Sequence, residues 1–174
     1  MSGTPDEPMG WLPAPVVELL DAALVADLTV VGRGGRPLTH PLIPFWDGER
    51  ILMTSSALFS RKVEHIKRDP RVAVAIVDRE ALTKPLQARA TIQGIARIVE
   101  DDPHVTWERV LPLWRAKEPV IDRFLKMRFA LPLFFERAII EVTPARCLWW
   151  ADGDTSREPT EARAPRPTRG RAHV

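Results

Sequence analysis

The chain contains a single cysteine, no tyrosine and no long apolar run. A lone Cys147 cannot form an internal disulfide framework or a cysteine-built metal site, and this cysteine usage is typical of cytoplasmic proteins. The apolar runs are shorter than the roughly 18–20 residues that cross a bilayer, and the acidic, polar start of the sequence does not resemble a signal peptide. We therefore expect a cytoplasmic protein without a membrane segment or a metal site.

Motifs for nucleotide and metal chemistry are missing as well. No G-x-G-x-x-G segment follows a predicted strand, and there is no G-x-x-x-x-G-K-[ST] phosphate loop. Glu108, Glu118, Glu136 and Glu141 show no metal-ligand spacing with any histidine. Without tyrosine there is no phenolic acid, and no nucleophile paired with a base is evident. The sequence therefore identifies no catalytic residue; His40 stays open as a proton donor or as a hydrogen-bonded structural histidine.

The positive charge of the chain is concentrated at its C-terminus. Residues 155–174 contain five arginines and two glutamates, a net charge of +3, whereas the whole chain carries +2. Residues 1–154 are therefore almost neutral, and we expect no nucleic-acid-binding domain. Three prolines and few large apolar side chains predict that residues 151–174 form a disordered basic tail, solvated or weakly attracted to a polyanion. Residues 1–13 are predicted to be a flexible leader, which leaves one domain over residues 14–150.

Hydrophobic periodicity predicts a mainly β domain with few helices. Apolar residues at helical spacing predict helices over 14–25 and 55–69, and helical segments between 101 and 128. Alternating or continuous apolar runs predict six strands, over 28–31, 38–45, 51–54, 71–77, 87–99 and 135–142. Asp47-Gly48 predicts a hairpin turn, and Gly94 a bulge or tight bend. Because the strands come mainly in hairpins, we expect an antiparallel barrel of the α+β class with helices at its ends.

Two prolines interrupt the second predicted strand. Pro41 and Pro44 each remove a backbone N–H that a central strand would donate. We therefore expect this strand at the edge of the sheet, or bulged where something other than a strand lies beside it.

The segment from Thr54 to Lys62 is the most informative part of the sequence. A strand that ends in hydroxyl side chains is followed by a predicted helix with Arg61 and Lys62 in its opening turns. Because a helix N-terminus already carries about half a positive charge, two cations placed there are unfavourable by themselves. They become favourable when an anion binds to the helix end, and a phosphate suits this combination of donors. A solvated basic face is the alternative, since His65, Lys67 and Arg68 follow.

Several short segments also carry a family resemblance through their order and spacing. They are Gly35-Arg36-Pro37, Asp47-Gly48, Leu52-Met53-Thr54, Ser60-Arg61-Lys62, Arg68-Asp69-Pro70-Arg71-Val72, Ile92-Gln93-Gly94 and Val142-Thr143-Pro144-Ala145-Arg146. Together they resemble the split-barrel, flavin-binding family of pyridoxamine 5'-phosphate oxidase-like proteins, over residues 14–150.

This resemblance implies a six-stranded antiparallel split β-barrel that forms a homodimer and holds FMN at the subunit interface. Carried over residue by residue, it implies that Ser60, Arg61 and Lys62 bind the FMN phosphate, with Thr54 and Ser55 beside them. The second strand is expected to run along the isoalloxazine ring with His40, Pro41, Leu42 and Ile43, and Gln93 is a weaker candidate from the partner side of the site.

Two departures from the family pattern concern the substrate. In the true oxidase the second strand carries an arginine and a lysine, whereas His40 and Phe45 stand at the matching positions here. The Arg-x-His pair that handles the pyridoxine ring is also not evident, because Arg146-Cys147-Leu148 stands near that place. The resemblance therefore implies an FMN-dependent oxidoreductase acting on an unidentified small molecule. The alternatives are a reductase that uses the 8-hydroxy-5-deazaflavin coenzyme and a non-catalytic module that binds a flavin or haem.

Overall fold

The computed structural model describes residues 10–57, 60–77, 88–100, 102–127 and 137–165. The helices in these ranges are α1 (Ala14–Ala22), α2 (Arg61–Arg68), α3 (Pro103–Lys117) and α4 (Ile121–Leu125). The strands are β1 (Ala26–Val31), β2 (Pro37–Leu42), β3 (Phe45–Trp46), β4 (Ile51–Ser56), β5 (Arg71–Val77), β6 (Arg89–Val99), β7 (Arg137–Trp150) and β8 (Thr160–Arg163). No described helix is both long enough and apolar enough to span a lipid bilayer.

All the strands belong to one antiparallel sheet with the order β2-β1-β5-β6-β7-β4-β3, and β8 adds to β7 off this path. The predicted class, mainly β with flanking helices, is confirmed, and the fold is that of a split barrel. The six predicted strands correspond to β1, β2, β4, β5, β6 and β7. The two-residue β3 and the C-terminal β8 come in addition.

The chain connectivity forces this sheet to curl. Strands β2 and β3 form its two ends, yet only Ile43 and Pro44 separate them along the chain. Three Cα–Cα steps reach at most about 11 Å, whereas the outer strands of a flat seven-stranded sheet lie about 29 Å apart. The predicted placement of the proline-rich strand at an edge is confirmed, and the prolines stand where the barrel stays open.

The core consists of two apolar clusters on either side of the curled sheet. The larger cluster joins α1 and Ile66 of α2 to the buried face of β1, β5, β6 and β7. The smaller one packs Trp107 and Trp114 of α3 against Phe45 and Ile139, with the two indole rings edge-to-face at 5.6 Å. Helix α3 thereby lies beside β3, next to the opening of the barrel.

An ionic cluster fastens α3 to the sheet. The carboxylate of Glu141 on β7 is buried and accepts hydrogen bonds from Arg50, Arg97 and Arg109, and Arg109 on α3 also pairs with Asp47 in the hairpin turn. Burial by itself raises the pKa of Glu141, but the hydrogen bonds from Arg97 and Arg109 outweigh it and hold this pKa below its ordinary value. The buried carboxylate therefore stays charged and joins β4, β6, β7 and α3.

The predicted break at Gly94 is a β-bulge. The β6–β7 register shifts between Gln93 and Gly94, and a Cβ atom at position 94 would lie 2.4 Å from the backbone oxygen of Thr143. Only glycine permits this close approach of the two strands. The predicted turn at Asp47-Gly48 is also present, with Gly48 at a φ of 97°.

Several predicted boundaries differ from the structure. Strand β4 continues to Ser56 and α2 begins at Arg61, so the predicted helix start at residue 55 is too early. Strand β7 runs without a break through Pro144 to Trp150. Among the helical segments predicted between 101 and 128, residues 101 and 128 lie outside the described ranges.

Parts of the predicted leader and tail are structured. Leu12 is buried in the core, so the described residues 10–13 are not a loose leader. Residues 160–163 form β8, whose Arg163 lies opposite Arg146 of β7, so a disordered tail over the whole of 151–174 is wrong. The sequence did not predict this strand because β8 is stabilised by pairing with β7 rather than by apolar side chains. Residues 1–9 and 166–174 lie outside the described part of the chain.

Candidate functional site

The end of β4 and the start of α2 meet in a cluster of hydroxyl groups. Thr54 and Ser55 are buried at the strand end, and the Ser55 Oγ lies 2.9 Å from the Ser60 Oγ. Ser60 occupies the N-cap position of α2, but its hydroxyl bonds to Ser55 instead of capping the helix. An α-helix leaves its first-turn N–H groups without an intrahelical acceptor. The geometry thus places backbone donors and hydroxyls at one point.

Two cations stand against this cluster. Lys62 Nζ donates to Ser55 Oγ at 3.2 Å, and Arg137 Nη1 donates to Thr54 Oγ1 at 2.9 Å from the neighbouring strand. Burial, and secondly the charge of Arg137, lower the pKa of Lys62, and burial lowers the pKa of Arg137. Within the described ranges no carboxylate lies at ion-pair distance from Lys62. A bound anion would relieve the repulsion between these two cations.

Beyond this cluster lies an open basic pocket of about 1230 Å³ between α2 and the turn that joins β1 to β2. Its charged lining consists of four arginines, one histidine and one acid: Arg33, Arg36, Arg61, Arg68, His65 and Glu64. Arg68 is held in place by hydrogen bonds to the Val31 carbonyl and to His65 Nδ1, both at 3.2 Å. The positive charge therefore extends along the pocket well past the helix start.

Strand β2 borders the same region. His40 pairs with Leu28 of β1 and is half-buried, and its Nε2 is enclosed without a hydrogen-bond partner among the described residues. Burial is the main cause that lowers the pKa of His40 from its ordinary value of 6.5, and the charges of Lys62 and His65 lower it further. Both of these charges belong to α2. His40 is therefore neutral at pH 7.

Not all of the remaining predicted site residues lie near the β4–α2 junction. Pro41 is exposed on β2, and Leu42 and Ile43 are half-buried beside it. Gln93 is exposed on the outer face of β6, where Arg146 Nη1 approaches its Oε1 at 3.5 Å, and it lines a different pocket with Arg71 and Arg163. One chain thus brings together the candidates on β2, β4 and α2, but it does not bring Gln93 to them.

Sequence reasoning missed Arg137 as a member of the site. Arg137 pairs with Ser56 in the β4–β7 register although the two residues are 81 positions apart in the sequence, and no local sequence pattern predicts that pairing. Arg33 and Arg36 flank the Gly34-Gly35 turn, and nothing in the neighbouring sequence connects them to α2. Their convergence on α2 required the curled sheet.

Comparisons with known proteins agree with this geometry. The family model described as pyridoxamine 5'-phosphate oxidase matches residues 12–151. The chain belongs to the pyridoxamine 5'-phosphate oxidase family. No curated protein sequence matches the chain.

Several solved structures share this fold. An F420 reductase is 25% identical with a TM-score of 0.57, over 78% of this chain and 98% of that one. A heme binding protein from Mycobacterium smegmatis is 18% identical with a TM-score of 0.60, over 87% of this chain and 59% of that one. A Clostridium acetobutylicum protein of the pyridoxinephosphate oxidase family, related to general stress protein 26, is 14% identical with a TM-score of 0.59, over 85% and 91% of the two chains.

The residues at the β4–α2 junction of this family member suit a phosphate group. Phosphate oxygens accept from a guanidinium, an ammonium, hydroxyls and helix N–H groups. Arg61, Lys62 and Ser60 supply the first three of these, and α2 supplies the fourth. The unpartnered, enclosed His40 Nε2 is a further polar group that a bound ligand can satisfy. The junction is therefore the candidate cofactor site.

Replacing Lys62 with methionine should raise the pKa of His40, because the Lys62 charge is one of the causes that lower it. The new pKa should stay below 6.5, since burial of His40 persists. Folded His40 holds its proton less tightly than the unfolded chain does, so acidification through pH 6.5 favours unfolding, and Lys62→Met should weaken this acid sensitivity. NMR titration of the imidazole protons measures the pKa.

Lys67→Met is the matched control for this titration. Lys67 lies on the same helix but pairs with Glu100, so its loss should leave His40 unchanged. Equal His40 pKa values in Lys62→Met and the unaltered protein would show that Lys62 and His40 do not face each other.

Proposed function

We propose that this protein is an oxidoreductase that binds FMN at the β4–α2 junction and acts on a small molecule. The observation that carries the proposal is the Lys62 ammonium, which is half-buried beside Arg137 and hydrogen-bonded to Ser55, with no described carboxylate at ion-pair distance. Folding concentrates positive charge here at an electrostatic cost, which binding of a phosphate offsets. Membership in the pyridoxamine 5'-phosphate oxidase family supports the same assignment.

In this proposal Ser60, Arg61 and Lys62 hold the phosphate, and Thr54 and Ser55 support them from the strand end. Arg61 suits bidentate contact with phosphate oxygens, and Lys62 provides a point charge. Thr54 acts through Arg137, whose guanidinium it orients by accepting a hydrogen bond.

The β2 edge is assigned to the ring of the cofactor. A bound flavin supplies the hydride or electron transfer, and the protein supplies position and electrostatics. Pro41 presents no backbone N–H, so this edge does not attract another strand. Leu42 and Ile43 exclude water, and neutral His40 can hold a proton beside the ring. Since its pKa is lowered, His40 is assigned as a hydrogen-bonding group and proton acceptor beside the ring at neutral pH.

The proposal includes a second copy of the chain. Gln93 and Arg146 lie on the outer face of the sheet, away from the β4–α2 junction, so only another copy could bring such residues to the cofactor. We expect the FMN-loaded protein to sediment as a homodimer. Analytical ultracentrifugation measures this, and a monomer with full FMN occupancy would rule out a shared site.

Replacing Arg61 and Lys62 together with alanine should weaken FMN binding at least about 100-fold. Each charge-assisted hydrogen bond contributes about 1.5–3 kcal/mol, and about 1.4 kcal/mol corresponds to tenfold in affinity. The variant should keep its fold, because Arg61 is exposed and loss of Lys62 removes a repulsion with Arg137. Isothermal titration with FMN measures the affinity, and the visible spectrum and mass of the released ligand identify what the native protein carries.

A double variant of Lys67 and Arg123 to alanine is the charge-matched control. Both side chains are exposed outside the basic pocket, so FMN affinity should change little. If both double variants lost the same FMN affinity, the effect would come from the net charge of the protein and not from a phosphate site at Arg61 and Lys62. A haem spectrum in the native protein would overturn the assignment to FMN.

A deazaflavin coenzyme with an anionic tail is the second candidate cofactor. Arg33, Arg36 and Arg68 extend the positive charge beyond what one phosphate contacts, and the F420 reductase shares the fold. If the tail binds there, Arg33→Ala combined with Arg36→Ala should weaken deazaflavin binding about fivefold to tenfold, as expected for two exposed charges. Titration of this variant with both cofactors distinguishes them, since FMN binding should be nearly unchanged.

A further inference from the structure

Helix α1 ends without the usual capping devices. Its C-cap residue Ala23 has an extended backbone, no glycine follows, and the last turn contains no basic side chain. The last carbonyls of an α-helix lack intrahelical partners and form the negative end of the helix dipole. Leu20 and Ala23 are buried, so water is not at hand to bond their carbonyl oxygens. This helix end needs a cation or a donor from elsewhere in the fold.

A second buried carbonyl lies between the two ends of the sheet. Pro44 is buried in the link from β2 to β3, and its carbonyl lies outside both strand ladders. The link bridges the open side of the split barrel, and Ile43 in it belongs to the edge assigned to the cofactor ring. The position of this link therefore determines where that edge lies.

Lys117 of α3 satisfies both places at once. Its Nζ donates to the Leu20 carbonyl at 2.7 Å, to the Ala23 carbonyl at 3.0 Å and to the Pro44 carbonyl. An ammonium has three N–H donors, so this set uses all of them. The same Nζ lies 5.7 Å from the centroid of the Phe45 ring. One side chain thus ties α3 to α1 and to the link.

We propose that Lys117 is a positioning residue that fixes the Ile43–Pro44 link and thereby the β2 edge beside the cofactor ring. The effect on cofactor binding rests on the proposed function. The hydrogen bonds from Lys117 to α1 and to the link are present in the protein without ligand. Lys117 does not line the basic pocket, so it acts on the ring and not on the phosphate.

Lys117 is charged at neutral pH, so replacing it removes a defined set of hydrogen bonds. Burial lowers the pKa of Lys117 to about 8, and Asp21 of α1 is the described charged group that acts against this shift. At neutral pH the side chain is therefore mainly protonated. Loss of the ammonium would remove the hydrogen bond that each of the three buried carbonyls accepts from Lys117. Among the described residues, the link would then accept no hydrogen bond from a side chain of α3.

Lys117→Met tests the proposal, because methionine keeps the length of the side chain and removes its donors. We expect the variant to bind FMN about tenfold more weakly, because the β2 edge would no longer be held in the position that contacts the ring. The same holds for the deazaflavin if the native protein binds that cofactor. Inorganic phosphate should bind with unchanged affinity, because the β4–α2 junction is untouched. Lys117→Arg, which retains the charge and donors, should recover most of the cofactor affinity.

Amide hydrogen exchange in the ligand-free protein provides the second measurement. Exchange at the amides of Leu42, Ile43, Phe45 and Trp46 should accelerate in Lys117→Met and not in the control Lys67→Met, in which an exposed ion pair is lost. Parallel losses of phosphate and cofactor affinity would overturn the proposal in favour of a purely structural role, as would unchanged exchange at the link. If the native protein binds neither cofactor, the proposed function fails, while the exchange result still decides whether Lys117 holds the link.

Discussion

The concentration of positive charge at the β4–α2 junction is the constraint on which the candidate site depends. Lys62 and Arg137 come from distant parts of the chain, yet Lys62 of α2 donates to Ser55 and Arg137, placed by the β4–β7 register, donates to the neighbouring Thr54. Burial lowers the pKa of both cations, and the charge of Arg137 lowers that of Lys62 further. A ligand that brings negative charge gives the arrangement a physical reason.

The incomplete closure of the barrel is the second constraint. A sheet whose end strands are two residues apart must curl, but prolines prevent the ends from pairing as regular strands. The resulting open edge needs support from outside the sheet. Helix α3 provides it in two ways, through the ionic cluster around Glu141 and through Lys117. The edge assigned to the ring is therefore held by the fold, which is what a binding site requires.

Family membership and function stand on different evidence. The match over residues 12–151 establishes the pyridoxamine 5'-phosphate oxidase family, and the family fold accounts for the strand order. The same fold occurs in an F420 reductase and in a heme binding protein, so the fold alone does not select a cofactor. Which cofactor binds is a property of the residues at the site rather than of the fold. The absence of the second-strand arginine and lysine, together with the arginines around the pocket, separates this chain from the oxidase pattern.

Local features were predictable from the sequence because local physical chemistry determines them. Apolar alternation identified six strands, Asp47-Gly48 identified the turn, Gly94 the bulge, and the prolines the edge strand. The basic start of α2 was visible for the same reason, since a cation at a helix N-terminus is unfavourable wherever the helix lies.

Long-range pairing decided the rest. Arg137 joined the junction through strand register, Lys117 reached the link through helix packing, and residues 160–163 became a strand by pairing with β7. Such contacts depend on how the whole sheet curls, and no window of neighbouring residues contains that information. The sequence by itself thus determined six of the eight described strands, the turn, the bulge and the basic start of α2. The tertiary structure alone decided which charges surround it and what holds the open edge, because these are set by distances between segments far apart in the chain.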